Sequence, residues 1–324
     1  MTPIFLLSLP RSGSTLLQRL LAAHGEIATA NEPHVLLPLL YAGRTEPVLA
    51  EYGHRVAATA IQDFVERLPA GLEDYRAAVR AFAGALYQRA SVRPSRYFLD
   101  KTPKYALVAR ELVQAFPDAR VIVLFRSPLA VVGSIVETFG RGSWNVERFR
   151  VDLEAGLAEL VEVVRSPAAR PRVHALRFED LLAAPGAVLR GTFEHLGLAH
   201  DPTVLERFGS VRLEGRVGDP SARRADHAVL RPEVAGHWAP ALASPLRKRW
   251  CRTYLEWIGG ERLRCMGYDL AALQSELAAV PIHAERLAQD VALMPYRYVA
   301  DRLEGRALHR LLSWPRDRRR YSLG

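Results

Sequence analysis

Apolar residues in the first two thirds of the chain gather into short continuous runs. Each run meets a polar turn and then apolar positions at helical spacing. Ile4 to Leu9 is the first run; it stops at Pro10 and a cluster of small residues, too short for a helix and suited to a buried strand. Ser14-Thr15 then open Leu16-Leu17-Gln18-Arg19-Leu20-Leu21, whose spacing and hydroxyl start predict a helix. The pattern returns at Tyr97 to Asp100, followed by an amphipathic stretch from Tyr105 to Phe116. It is clearest at Arg120 to Phe125, where Arg126-Ser127-Pro128 leads into a helix through Val131, Val132, Ile135 and Val136. Pro128 suits a first helical turn. Val173 to Phe178 predicts a fourth strand and Glu179 to Leu196 a further helix.

Apolar strands alternating with helices predict an α/β fold, a mostly parallel sheet flanked by helices on both faces. Two stretches depart from the alternation. Gln62 to Ser91 predicts a helical insertion or cap, and residues 211–245, rich in Gly, Pro and Arg, predict a loop region. Helical pattern resumes from Leu246 to Arg264. A tail over 281–324 carries nine arginines against five acids, with Leu303, Leu308, Leu311, Leu312 and Trp314 interleaved. The division expected is one domain over 1–280 and a basic, mostly helical tail over 281–324.

Composition narrows the chemistry. With 324 residues, 49% of them hydrophobic and 24% charged, the chain has the make-up of a folded globular protein and can build a core without staples. Its two cysteines, Cys251 and Cys265, exclude a disulfide framework and a Cys-His zinc site. Net charge is +9, and nearly all the basic residues are arginines, which favour planar, bidentate contacts with oxyanions. Anionic partners are implied, without a choice among phosphates, nucleotides, nucleic acid and lipid. The chain begins without a basic n-region, and its apolar stretches fall short of the ~20 residues that span a bilayer. A cytoplasmic protein is expected.

Ser8-Leu9-Pro10-Arg11-Ser12-Gly13-Ser14-Thr15 lies between strand and helix, where a phosphate-binding loop belongs. The Walker pattern asks for a first Gly and a Gly-Lys-[Ser/Thr] ending. Here Ser8 stands for that Gly and Ser14 for the lysine. Reach to a γ-phosphate is lost, while Arg11 and hydroxyls remain to hold an anion. A second anion site is suggested by Arg126, at the carboxyl end of the third run, and Ser134, about two turns into the next helix. Two separated anion sites suit a nucleotide phosphorylated at two positions.

These residues resemble the sulfotransferases that use 3'-phosphoadenosine 5'-phosphosulfate (PAPS), a P-loop-like nucleotide-binding fold. Leu9 to Thr15 is similar to their 5'-phosphosulfate loop, and Arg126 with Ser134 to their 3'-phosphate site. The likeness continues through Glu32-Pro33, Asp100-Lys101-Thr102-Pro103, Arg177-Phe178-Glu179-Asp180-Leu181 and Met266-Gly267-Tyr268, roughly residues 3–270. It is nearer to the tyrosylprotein and bacterial branch than to the steroid and phenol branch. Phe178 stands where the family often has Tyr, so a hydroxyl contact to the cofactor is not expected there. The later cofactor-binding loop maps only loosely, onto Gly218-Asp219-Pro220-Ser221 and Arg231.

The resemblance implies PAPS as donor, 3',5'-adenosine bisphosphate (PAP) as product, and no required metal. Arg11, Ser12, Gly13, Ser14, Thr15, Arg126 and Ser134 would bind the nucleotide. Glu32 would be the base for an acceptor hydroxyl, with His34 its rival; Lys101 would stabilise charge on the sulfuryl group and leaving nucleotide, and Arg11 would contact the 5'-phosphosulfate. His237 and Trp238 read as packing. Competing expectations are a P-loop kinase or ATPase, opposed by the missing Walker lysine, and a non-catalytic protein that binds nucleotides or anionic surfaces. The acceptor is open: a sugar, a phenol, a peptide tyrosine or a lipid-linked alcohol. Nucleic acid is not an expected partner. The tail predicts peripheral contact with an anionic membrane at its inner face.

Overall fold

The computed structural model describes residues 2–30, 32, 36–42, 61–91, 94–211, 238–283, 287, 288, 290 and 291. Strand β1 (Thr2–Ser8) is followed by helix α1 (Ser14–Ala22), β2 (Ile27–Thr29), α2 (Leu36–Ala42) and α3 (Leu72–Ala90). Next come β3 (Tyr97–Asp100), a 3₁₀ turn over Pro103–Val108, α4 (Ala109–Ala115), β4 (Arg120–Phe125), α5 (Pro128–Gly140) and α6 (Leu157–Arg165). The chain then forms β5 (Val173–Arg177), α7 (Phe178–Ala183), α8 (Pro185–Leu196), α9 (Val204–Arg207), α10 (Pro245–Cys265) and α11 (Leu270–Ala279).

The sheet order is β2-β3-β1-β4-β5, with every pairing parallel. Side chains alternate across it. Phe5, Leu7, Val121, Val123 and Phe125 enter one core layer; Ile4, Leu6, Ile122 and Leu124 enter the other. The first layer takes α4, α5, α6 and α10, and the second takes α1 and α8. Strands buried on both faces are why the sequence shows unbroken apolar runs there rather than alternation. Chain order explains where a ligand fits. From β1 the chain leaves through α1 on one face, and from the adjacent β4 through α5 on the other. A crevice therefore opens at their carboxyl ends, the usual ligand position in open α/β sheets.

Four local departures from the expected elements are seen. Strand β2, of three residues, is too short to show a period. The helix expected over Glu179 to Leu196 is two helices, because Pro185 lacks the N–H a helix interior requires and instead begins α8. The stretch from Tyr105 to Phe116 begins as 3₁₀ and becomes α-helical only at Ala109. Helix α10 itself is kinked at Gly259, whose φ of 77° is left-handed.

Edge strand β5 carries a titratable contact. His174 stacks on His195 of α8 with ring centroids 5.3 Å apart. Burial is the chief cause lowering the pKa of each; at His174 the neighbouring His195 adds to it. Unfolded imidazoles titrate near ~6.5. Stability from this pair is therefore complete above that pH and is lost as pH falls through the lowered folded values. The melting temperature is expected to drop between pH 7 and pH 5, and His174→Gln to flatten that drop. An unchanged slope in the variant would remove the pair as its cause.

Candidate active site

All five strands deliver residues to one edge. β1 ends at Ser8 and turns through Leu9 to Gly13 into α1. Two residues of that turn are left-handed, Arg11 at φ 69° and Gly13 at φ 87°. Gly13 needs its lack of a side chain for a second reason. A Cβ there would lie 2.1 Å from Cε2 of Phe178, so the loop rests directly on that ring. The loop turns early-helix amides toward the space in front of α1, where a helix N-terminus favours an anion. Ser12, Ser14 and Thr15 are buried beneath that space.

On the neighbouring strand, Arg126 leaves the end of β4 and is 8% exposed. Its Nη1 donates to the carbonyl of Arg11 at 2.8 Å, and its guanidinium lies 4.8 Å from the centre of the Phe178 ring. Phe178 thus supports both the glycine of the loop and the arginine beside it. Burial pulls the Arg126 pKa down to about 10, partly offset by Glu179, while Arg11 lowers it further. The group stays charged at neutral pH. Arg11 donates from Nε to Oγ of Ser134 on α5 at 3.1 Å. Two guanidiniums and a hydroxyl so meet across the β1–β4 crevice. An anion bound there would relieve the repulsion between the arginines. Ser127 Oγ, next to Arg126, is buried and has no hydrogen-bond partner among the described residues. A buried hydroxyl so placed suits a phosphate acceptor.

Glu179 organises this end. It accepts from the Ser127 amide at 3.0 Å and from the Tyr268 hydroxyl at 2.6 Å, anchoring the start of α5. Close behind it, the Arg177 guanidinium stacks 4.6 Å from the Tyr268 ring. A Cβ on Gly267 (φ 83°) would lie 2.7 Å from Cδ of Arg177. Trp238 packs against α5 as well, its Cβ 2.8 Å from where a side chain on Gly133 would begin.

The other end of the loop faces Lys101 and Glu32. Lys101 follows β3 and is 1% exposed. Its ammonium donates to Oε1 of Glu32 and sits 3.5 Å from Oγ1 of Thr15. Burying an ammonium is unfavourable without such a carboxylate. Glu32 stands in a left-handed backbone conformation, φ 34°. Gln18, fully buried on α1, holds the segment ahead of it, donating to Thr29 Oγ1 and to the Ala30 carbonyl, each at 2.8 Å. Left-handed backbone at a non-glycine costs ~1–2 kcal/mol, a strain that collects at functional positions.

The structure thus brings the expected residues into two groups joined by the loop: Arg11, Arg126 and Ser134 at one end, Lys101, Glu32 and Thr15 at the other. His34, His237, Gly218-Asp219-Pro220-Ser221 and Arg231 lie outside the described residues. Neither the residue pattern nor the family resemblance gives Gln18, Glu179 or Tyr268 a role. For Gln18 there was a signal, a polar residue inside an otherwise apolar helical run.

A loop at the carboxyl edge of a parallel sheet, with Ser14 where a Walker lysine would stand and Arg11 and Arg126 beside it, defines an α/β protein of the P-loop type. The chain belongs to the sulfotransferase family, whose model matches residues 3–202. Nodulation protein NoeE of Sinorhizobium fredii is 36% identical over 141 residues, 42% of this chain and 31% of that protein. Protein-tyrosine sulfotransferase 2 of Gallus gallus is 23% identical over 246 residues, 72% of this chain and 62% of that protein. The chain therefore spans less than two thirds of either curated relative. Among solved structures, the sulfotransferase domain from the curacin biosynthetic pathway superposes with a TM-score of 0.51 at 25% identity, covering 79% of this chain and 97% of that one.

Proposed function

We propose that the protein transfers the sulfuryl group of PAPS to a hydroxyl of an acceptor and releases PAP. The observation that carries this reading is the pairing of two sites on one loop: a two-arginine anion site with Ser134, and a buried Lys101–Glu32 pair. When bound, PAPS supplies an activated sulfuryl group on a phosphate leaving group. Arg126 and Ser134 hold the 3'-phosphate; Arg11, expected at the 5'-phosphosulfate, joins them through its contact with Ser134, and the loop amides with Ser12, Ser14 and Thr15 hold the 5' end. Glu32 receives the proton of the acceptor hydroxyl. Lys101, already against Thr15 and Glu32, places positive charge where the leaving side gains negative charge, and burial strengthens that interaction.

Labelled PAPS offered with a sugar, a phenol, a tyrosine-bearing peptide and a lipid-linked alcohol tests the reaction and the acceptor together. Transfer of label to one class supports the reading; binding of PAP with no transfer to any class would reduce the chain to a nucleotide-binding protein. The similarity to a protein-tyrosine sulfotransferase makes the tyrosine peptide the first acceptor to try.

We also propose weak peripheral membrane association through the tail. It rests on the apolar residues Leu303, Leu308, Leu311, Leu312 and Trp314 among Arg302, Arg306, Arg310 and Arg318-Arg319-Arg320. Among the described residues no helix is long and apolar enough to cross a membrane. Basic side chains near an anionic surface contribute about 1 kcal/mol each, and salt screens them. The full chain is expected to sediment with phosphatidylserine vesicles at low salt, while a chain ending after Val291 stays in solution. The cut belongs there because Asp290 is buried against Arg247, with three nitrogen–oxygen contacts of 2.6 to 3.0 Å. Removing it would leave a buried guanidinium unmatched. Equal, negligible sedimentation of both chains would dismiss the association.

A further inference from the structure

Behind Lys101 lies a group the transfer chemistry does not use. Asp100 is fully buried at the end of β3 and, by strand alternation, points away from the face that Lys101 occupies. Its carboxylate accepts from the hydroxyls of Tyr87 on α3 at 2.6 Å, Tyr105 at 3.1 Å and Thr102 at 3.3 Å. Burial first, and the Asp100 charge second, push both phenols well above their ordinary pKa, so both remain donors.

Tyr105 does something Tyr87 does not. Its oxygen also accepts the backbone N–H of Leu36 at 3.2 Å. Leu36 is the first residue of α2, so that amide has no acceptor within its own helix. Glu32 lies four residues earlier, bound to Lys101. The strand end therefore holds two points four residues apart: Lys101 takes the Glu32 carboxylate, and Asp100, through Tyr105, takes the start of α2. Gln18 secures the entry at Ala30.

We propose that Tyr105, oriented by Asp100, is a positioning residue for Glu32, acting through the Leu36 amide; this rests on the reading of Glu32 as the base. Tyr87 serves the same carboxylate and, among the described residues, has no hydrogen bond to Glu32 or Leu36, so it supplies the control. In Tyr105→Phe, exchange of the Leu36 amide should speed up about tenfold or more. Release of PAP from PAPS should slow by about 10- to 100-fold in kcat, as expected for a base moved out of line, with KM for PAPS unchanged. In Tyr87→Phe, the melting temperature should fall while kcat and Leu36 exchange stay near wild type.

Equal losses of kcat in the two variants, or unaltered Leu36 exchange in Tyr105→Phe, would overturn the proposal. Should Tyr105→Phe not fold, wild-type exchange still decides: a protected Leu36 amide supports the clamp and a rapidly exchanging one refutes it. Failure of the sulfuryl-transfer reading shows differently, in wild-type protein that neither binds PAP nor consumes PAPS.

Discussion

Glu32→Gln is expected to lower the rate of PAP release from PAPS by roughly 10²–10⁴, the range for a lost general base. Affinity for PAP should stay within about twofold, because the arginine site lies at the other end of the loop. Glutamine keeps the size of the side chain and an oxygen that can accept from Lys101, so the segment has no steric reason to move. What disappears is the negative charge, and with it the capacity to hold the acceptor proton and to balance the buried Lys101 ammonium. Single-turnover rates and PAP titration on the same preparation separate the two effects. If Glu32→Gln retained activity and His34→Ala abolished it, the base would be the histidine.

Arg126→Ala should weaken PAP by about 10- to 100-fold, following the ~1.5–3 kcal/mol of a hydrogen bond to a charged group. Adenosine 5'-phosphate, which lacks the 3'-phosphate, should lose much less. That selectivity matters because Arg126 also braces the Arg11 carbonyl and stacks on Phe178. A purely structural arginine would weaken both nucleotides alike. Calorimetric titration of the two ligands against wild type and variant reads the difference directly.

The parts of this site that could be read from sequence were those made by neighbouring residues. The run Ile4 to Leu9, broken by Pro10 and followed by Arg11-Ser12-Gly13-Ser14-Thr15, displays strand, loop and helix within a few positions. Arg126-Ser127-Pro128 did the same for β4 and α5. The contact of Arg11 with Ser134 was not visible, because a side chain must cross 123 residues of sequence through the β1–β4 pairing. Only the family resemblance singles out Lys101 and Glu32; no spacing rule joins residues 69 apart. The Asp100 cluster was hidden for a related reason. Tyr87 falls within the helical insertion expected over Gln62 to Ser91 and Tyr105 opens an amphipathic stretch, and only the fold turns both hydroxyls onto one carboxylate. Phe178 is instructive in the other direction. Read as the loss of a hydroxyl, its ring proves to be the surface on which Gly13 and Arg126 rest.

The most direct test of a two-anion nucleotide site is a comparison of three ligands on the unmodified protein. Isothermal titration with PAP, with adenosine 5'-phosphate and with magnesium ATP needs no acceptor. PAP should bind tightest, about tenfold or more above adenosine 5'-phosphate, since it alone presents a phosphate to Arg126 and Ser134. Magnesium ATP should gain nothing from its γ-phosphate, because Ser14 stands in the place of the Walker lysine. Tightest binding by magnesium ATP, or equal binding of PAP and adenosine 5'-phosphate, would contradict the assignment.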